Sequence, residues 1–393
     1  MHVILDKLKG DRVIWIVAIL LATISILAVY SSISSLAYKY HDGNTFYFLF
    51  KHSIMVALGM VIMYYTHKLK FKYWSRLSQM AIWVVAGLLL FTLLFGNNVN
   101  DASRWLTIPL IGQSFQTSDL AKVVLIVYVA RLLAQRKDKL KNFNDGARVI
   151  VLPIILICAL ILPANFSTAA VLFVVCLILM FIGNVPLKHI ALIIGIAVVG
   201  FALMLMLAKN YPDLLPRLGT WVTRIESHGV EDHEANYQVE NAKIAIAQGG
   251  LLPNGPGSGT SRNYLPHPYS DMIYAFIIEE YGSLIGGMGL ILLYMILLYR
   301  AVRISTKSEN TFGGLLAMGL SLMLVFQAMI NMAVAVNLVP VTGQPLPMVS
   351  MGGTSMWFTC LAIGIVLSVS RSVTPEGKGN RSKRSEDGKL AFA

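Results

Sequence analysis

Ten apolar runs, each close to the roughly 20 residues a helix needs to cross a bilayer, recur along this chain of 393 residues. They fall at about 13–33, 49–66, 77–95, 118–134, 149–164, 167–184, 188–208, 271–299, 313–335 and 353–371. A backbone in lipid must bond to itself, and a run of this length does so as a helix. The expected fold is therefore all-α, a polytopic membrane protein with ten transmembrane helices. Composition agrees: charged residues make up 13% of the chain, against about 25% in ordinary soluble domains.

Most of the 32 Lys and Arg fall in segments on one side, among them Lys7, Lys9 and Arg12, Lys68 to Arg76, Arg131 to Arg148, and Arg300 to Lys307. The positive-inside rule puts that side, and both termini, in the cytoplasm. The net charge of +12 follows from this asymmetry. Anionic membrane lipids are sufficient partners for these loops, and no nucleic acid is needed to explain them. The first run follows Lys7, Lys9 and Arg12, is of full length, and reads as a retained helix rather than a cleaved signal. Cys158, Cys176 and Cys360 lie inside apolar runs, so no disulfide framework is implied.

The external segments are unequal. The one at 209–270 is about sixty residues long and is read as ordered against the outer surface. Within it, 236–248 has helical spacing, with Val239, Ala242 and Ile246 on one face. Residues 1–371 form one membrane domain in this reading, and the polar stretch 372–393 is a disordered cytoplasmic tail.

Few charged groups enter the apolar runs, and each is expensive there. Asp271 stands where a Gly/Pro-rich loop meets the eighth run. Counted from it along a helix, Glu279 falls within about 80° of the same face and about 12 Å deeper, with Glu280 near the opposite face. Glu279 is thus expected to share a cavity with Asp271, and Glu280 to bond between helices. Asp119 and Lys122, at i and i+3, share a face near the outer end of the fourth run, capped by Thr117 or Ser118. Arg104 and Trp105 precede it in an external loop. Gln327 and Asn331, at i and i+4 on the ninth run, are expected to bond between helices. Residues 336–355 carry three prolines and three glycines at membrane depth, and such backbone survives only when buried in protein or lining a wet cavity. Together these features outline a polar cleft open at the outer leaflet. From the residues alone, an enzyme and a transporter of a lipid-linked precursor fit about equally.

Five stretches then carry a family likeness: SRWLTIPLIGQSFQTSDLAK (103–122), PANFSTAAVLF (163–173), YQVENAKIAIAQGGLLPNGPGSG (237–259), YLPHPYSDMIYAFIIEEYG (264–282) and NLVPVTGQPLPMVSMGGTS (337–355). In order and spacing they resemble the SEDS peptidoglycan glycosyltransferases, the FtsW/RodA proteins, and the GPGSG turn and YLP lead-in are more similar to the FtsW branch. The resemblance implies polymerisation of lipid II, in which a sugar 4-hydroxyl attacks an anomeric carbon and undecaprenyl pyrophosphate leaves. It implies Asp271 as the essential acid, and a substrate-binding set of Arg104, Trp105, Gln116, Asp119, Lys122, Asn165, Arg262 and Glu279. It also implies a class B penicillin-binding protein (a transpeptidase) and other divisome proteins as partners, at the septum of a bacterial cytoplasmic membrane. No cofactor is fixed, although a divalent cation, Mg or Mn, is compatible. The elongation-type branch, a precursor flippase and a non-catalytic division scaffold are the alternatives.

The sequence departs from the family pattern in places. Gln-Pro-Ser-Glu reads Gln116-Thr117-Ser118-Asp119, one carbon shorter at the acid. Asn165 stands where the family has an acidic residue, His267 replaces a Glu, and Met272 a Phe. Asn165 can neither balance a metal ion nor take a proton. Asp271 is unaffected by any of these changes.

Overall fold

Apolar sequence with no water at hand closes its own hydrogen bonds, and the chain is helical throughout its apolar runs. The computed structural model describes residues 9–33, 44–99, 102–108, 113–210, 233–265 and 268–373. Trp221, the stretch 211–232 of the long external segment, His267 and the tail from 374 lie outside the described residues.

The helices are α1 (Arg12–Ser32), α2 (Thr45–Lys68), α3 (Lys72–Phe95), α4 (Thr117–Gln135), α5 (Arg148–Ile161), α6 (Phe166–Ile182), α7 (Leu187–Asn210), α8 (His233–Gly249), α9 (Ile273–Tyr281), α10 (Gly289–Lys307), α11 (Thr311–Ala335) and α12 (Thr354–Val373). Among the described residues, eight helical stretches are long and apolar enough to cross a membrane, Ile273–Lys307 counting as one. Two expected spans fall outside that set for plain reasons. Helix α4 carries Asp119, Lys122 and Arg131, and α6 is a shorter apolar helix of 17 residues.

Short polar side chains start several helices by accepting orphan N–H groups. Asp11 accepts from Val13 and Ile14 at 3.0 and 3.3 Å, Asn44 from Tyr47 at 3.2 Å, and Asn310 from Gly313 at 3.0 Å. Asn184 and Asn337, both with positive φ, end α6 and α11 with the 6→1 bonds Val185 N–H to Met180 O and Leu338 N–H to Ala333 O.

Helix α11 is the axis of the bundle: 78% of its apolar window is buried, against 17% for the peripheral α7. It packs against α4, α6, α10 and α12, and α12 lies along α2. That last contact is close because Gly59 faces Cys360 and Gly364 faces Thr66 and the Met63 carbonyl. At one end of the bundle the Arg300 guanidinium donates to Asp11 at 2.8 Å, and the Asp11 N–H donates to Ser370 Oγ at 2.9 Å. The start of α1, the end of α10 and the end of α12 meet there. The opposite end holds everything described next.

One segment is extended rather than helical. The stretch after α3, expected as a loop, pairs into a small antiparallel sheet of β1 (Asn97–Val99), β2 (Ala102–Ile108) and β3 (Gln113–Gln116). It runs directly into α4.

Candidate active site

Asp271 lies in the turn ahead of α9, half-exposed. The expected helix start at Asp271 is two residues early, since α9 begins at Ile273 with Met272 in the cap position. The carboxylate therefore sits just before a helix N-terminus, whose unpaired N–H groups and partial positive charge favour an anion. Its backbone is held by three consecutive carbonyls. Tyr269 O accepts from Met351 N–H at 2.9 Å, Ser270 O from Ser350 Oγ at 2.5 Å, and Asp271 O from Asn331 Nδ2 at 2.8 Å. A Cβ added to Gly343, which has φ +62°, would stand 3.9 Å from Asp271 Oδ2. The carboxylate thus lies close to the irregular backbone after α11.

That backbone is irregular yet tied from Gln344 to Val349. Gln344 O accepts from Asn331 Nδ2 at 2.8 Å, Pro345 O from Gln327 Nε2 at 2.9 Å, and Val349 O from Ser25 Oγ at 2.7 Å. Pro347 O accepts from the buried Tyr294 hydroxyl, and Leu346 N–H donates to Ser350 Oγ at 2.7 Å. Donors from α1, α10 and α11 replace the helix ladder that three prolines forbid.

Asp119 and Lys122 form the expected i,i+3 pair on α4, 2.8 Å apart and nearly enclosed, with side-chain exposures of 5% and 11%. Lys122 Nζ also donates to Gln327 Oε1 at 3.0 Å. The ammonium is thereby carried to the segment that Asp271 touches. The expected cap is absent: Gln116 occupies the cap position without a capping bond, and its Nε2 donates to Ser118 Oγ at 2.9 Å. In the sheet, Trp105 pairs with Gln116, which sets the Arg104-Trp105 backbone beside the start of α4. The side chains of Arg104 and Trp105 lie outside the described residues.

Glu279 does not join Asp271 as expected. It is 3% exposed, and its carboxylate accepts from Thr260 N–H at 2.8 Å, Ser261 N–H at 3.1 Å and the Ser261 hydroxyl. Glu280 accepts from the Ser31 hydroxyl of α1, the expected helix-to-helix bond, and also from Gly257 N–H at 2.9 Å. Both acids fasten the 254–261 loop onto the membrane helix. The helix receives it by breaking: Gly282 has φ +71°, and a π-helical stretch, Gly282–Met288, follows. At the break, Glu280 O accepts from Asn254 and Gly255 N–H, both at 3.0 Å, while Ser283 N–H donates to Gly250 O at 3.0 Å. Arg262 sits in the 3-10 turn Ser261–Asn263 beside this clamp. Helix α8, close to its expected bounds, packs along α9 with Val239, Ala242 and Ala245 buried.

The family model for the cell cycle proteins FtsW, RodA and SpoVE matches residues 11–374. The chain belongs to the FtsW/RodA/SpoVE family. It is 31% identical over 370 residues to a probable peptidoglycan glycosyltransferase FtsW of Geobacter metallireducens, covering 92% of this chain and 95% of that one. It is 29% identical to the stage V sporulation protein E of Bacillus subtilis, over 93% of this chain and 98% of that one. Among solved structures, a chain from a peptidoglycan synthase complex that coordinates polymerization and crosslinking superposes with a TM-score of 0.73, at 21% identity, over 93% of this chain and 99% of that chain. The rod shape determining protein RodA of Thermus thermophilus gives 0.65, at 22% identity, over 93% and 97%. These two likenesses establish a shared fold.

For this family member, the Asn165 position is a cap: Asn165 Oδ1 accepts from Thr168 N–H at 3.2 Å and starts α6. Its neighbour across a small pocket is the Thr117-Ser118 start of α4. Near the start of α4, Asp119 Oδ1 faces the Lys122 ammonium and Asp119 Oδ2 is buried without a hydrogen-bond partner, and among the described residues no three His, Cys, Asp or Glu side chains converge to hold a metal. Sequence reading also passed over Ser270, Ser350 and Gly343. The short polar and glycine residues flanking Asp271 and the prolines were the only signal available for them.

Proposed function

We propose that this chain is a peptidoglycan glycosyltransferase that polymerises lipid II at the outer face of the bacterial cytoplasmic membrane. The observation that carries the reading is the Asp271 carboxylate, held at the head of α9 by three backbone anchors and lying by Gly343. Asp271 takes the proton of the acceptor sugar's 4-hydroxyl as that oxygen bonds to the donor's anomeric carbon. The bond from that carbon to the pyrophosphate oxygen breaks, and undecaprenyl pyrophosphate departs with the electron pair. A base so placed supplies about 10²–10⁴-fold. Lys122 and Arg104 offset the charge that grows on the leaving group. Trp105, Gln116, Arg262 and the Asn165 cap shape the surrounding cleft, and Glu279 contributes by holding its loop. No step is routed through a metal ion.

In this reading the chain has ten spans with both termini cytoplasmic, an orientation that the positive-inside charge asymmetry supports, and this end of the bundle faces the periplasm. The expected partners are a class B penicillin-binding protein and other divisome components at the division septum. Relatives named FtsW and a structural neighbour within a peptidoglycan synthase complex support that reading.

The broken helix at Gly282 favours a second reading, a precursor transporter, because transporters use discontinuous spans. Here, though, the break is filled by a loop from one side, which Glu279 and Glu280 Oε1 hold by accepting its N–H groups. The deciding experiment supplies the purified full chain and its transpeptidase partner, in proteoliposomes, with lipid II. Muramidase-sensitive glycan formed without lipid II flipping is the expected result. Flipping with no polymer would sink the polymerase reading.

A further inference from the structure

Gln327 and Asn331 stand one turn apart on the same face of α11, 4% and 1% exposed. Every hydrogen bond recorded for their side chains leaves α11. Gln327 accepts from Lys122 Nζ at 3.0 Å and donates to Pro345 O at 2.9 Å. Asn331 donates to Gln344 O and to Asp271 O, each at 2.8 Å. The two amides therefore grip adjacent residues of one segment, and each reaches one further group: the ammonium in one case, the backbone of the acid in the other.

We infer that Gln327 and Asn331 are positioning residues that set the spacing between Asp271 and the Lys122 ammonium. The inference rests on the polymerase reading above. A displacement at one carbon needs the base on the attacking side and the cation on the leaving side, and the distance between them must hold during reaction. Residues four apart on a helix are offset by about 6 Å along its axis. The most enclosed helix of the bundle supplies that offset, and the prolines of 340–347 keep the gripped segment from following either group. Neither amide has to touch substrate. A misplacement of about 1 Å remote from the reacting atoms can cost about 10²-fold in rate.

Two substitutions separate positioning from simple helix adhesion. Asn331→Asp keeps shape but turns the donor toward two carbonyls into an acceptor. Gln327→Glu keeps the acceptor for Lys122 and loses the donor to Pro345. The full chain, purified with its transpeptidase partner, is assayed for lipid II polymerisation, with kcat and KM separated, the pH–rate profile recorded and thermal unfolding followed. Asn331→Asp is expected to lower kcat about 100-fold, and Gln327→Glu about 10-fold. For both, KM should stay within about threefold. Gln327→Glu leaves the acid limb in place, whereas the carboxylate that Asn331→Asp buries beside the Asp271 backbone raises that limb and lowers the melting temperature, so its kcat is read per folded protein on the plateau of the profile. Wild-type kcat in both variants, or a loss that only tracks lost folded protein, overturns the inference. Should Asn331→Asp fail to fold, Gln327→Glu decides by the same criteria. An Asp271→Asn control divides the failures. If it is inactive while both amide variants are normal, positioning alone is wrong; if it polymerises normally, Asp271 is not the base and this inference falls with that role.

Discussion

The nearly enclosed ion pair of Asp119 and Lys122 couples stability to chemistry at the level of single side chains. Removing one partner leaves a buried charge uncompensated, which costs about 3–5 kcal/mol, whereas replacing both with apolar groups is often close to neutral. Lys122→Met should therefore destabilise the protein strongly, and Asp119→Leu with Lys122→Met should recover most of that loss without recovering polymerisation. Thermal unfolding in detergent beside the lipid II assay reads both. A single variant as stable as the double would show that the pair does not balance its own burial. This pair and the amides of α11 were legible because helical spacing alone brings each pair to one face, and Glu280 because the same spacing turns it toward a neighbouring helix. Glu279 was not legible. Its partners, Thr260 and Ser261, come from a loop whose path no periodicity records, and the angular count from Asp271 failed because the helix starts only at Ile273.

Among the elements, the break between α9 and α10 is the most informative. Gly282 has φ +71° and ψ 164°, a region that is essentially glycine's alone, and an added Cβ would come within 2.6–2.7 Å of the Leu251 and Leu252 backbone. Gly282→Ala should cost at least about 1–3 kcal/mol and loosen the 250–261 loop. Gly289→Ala, with open space around the added methyl, should be neutral or mildly stabilising. Equal melting temperatures for the two variants would contradict the broken-helix account. Helix existence was read well from apolar runs: 313–335 became Thr311–Ala335, and 353–371 became Thr354–Val373. The break at Gly282 and the small sheet before α4 were missed. Both depend on pairing with a distant or irregular segment, so apolarity runs straight through the first and is silent on the second.

For the molecule as a whole, the two ends of the bundle do different work. One ties the beginnings and ends of α1, α10 and α12 through Asp11, Arg300 and Ser370. The other gathers the irregular backbone, the clamp loop, the Asp119–Lys122 pair and Asp271 around the outer part of α11. The proposed chemistry needs that second end open to sugar and the first one closed, which is how an enzyme facing one side of a membrane differs from a carrier serving both. The most direct measurement replaces Asp271 with Asn in the full chain, purified with the transpeptidase proposed as its partner, and follows glycan formation from lipid II. The variant should fold, keep its partner and lose at least about 10²-fold in polymerisation rate. Polymer formed at the wild-type rate would contradict the account.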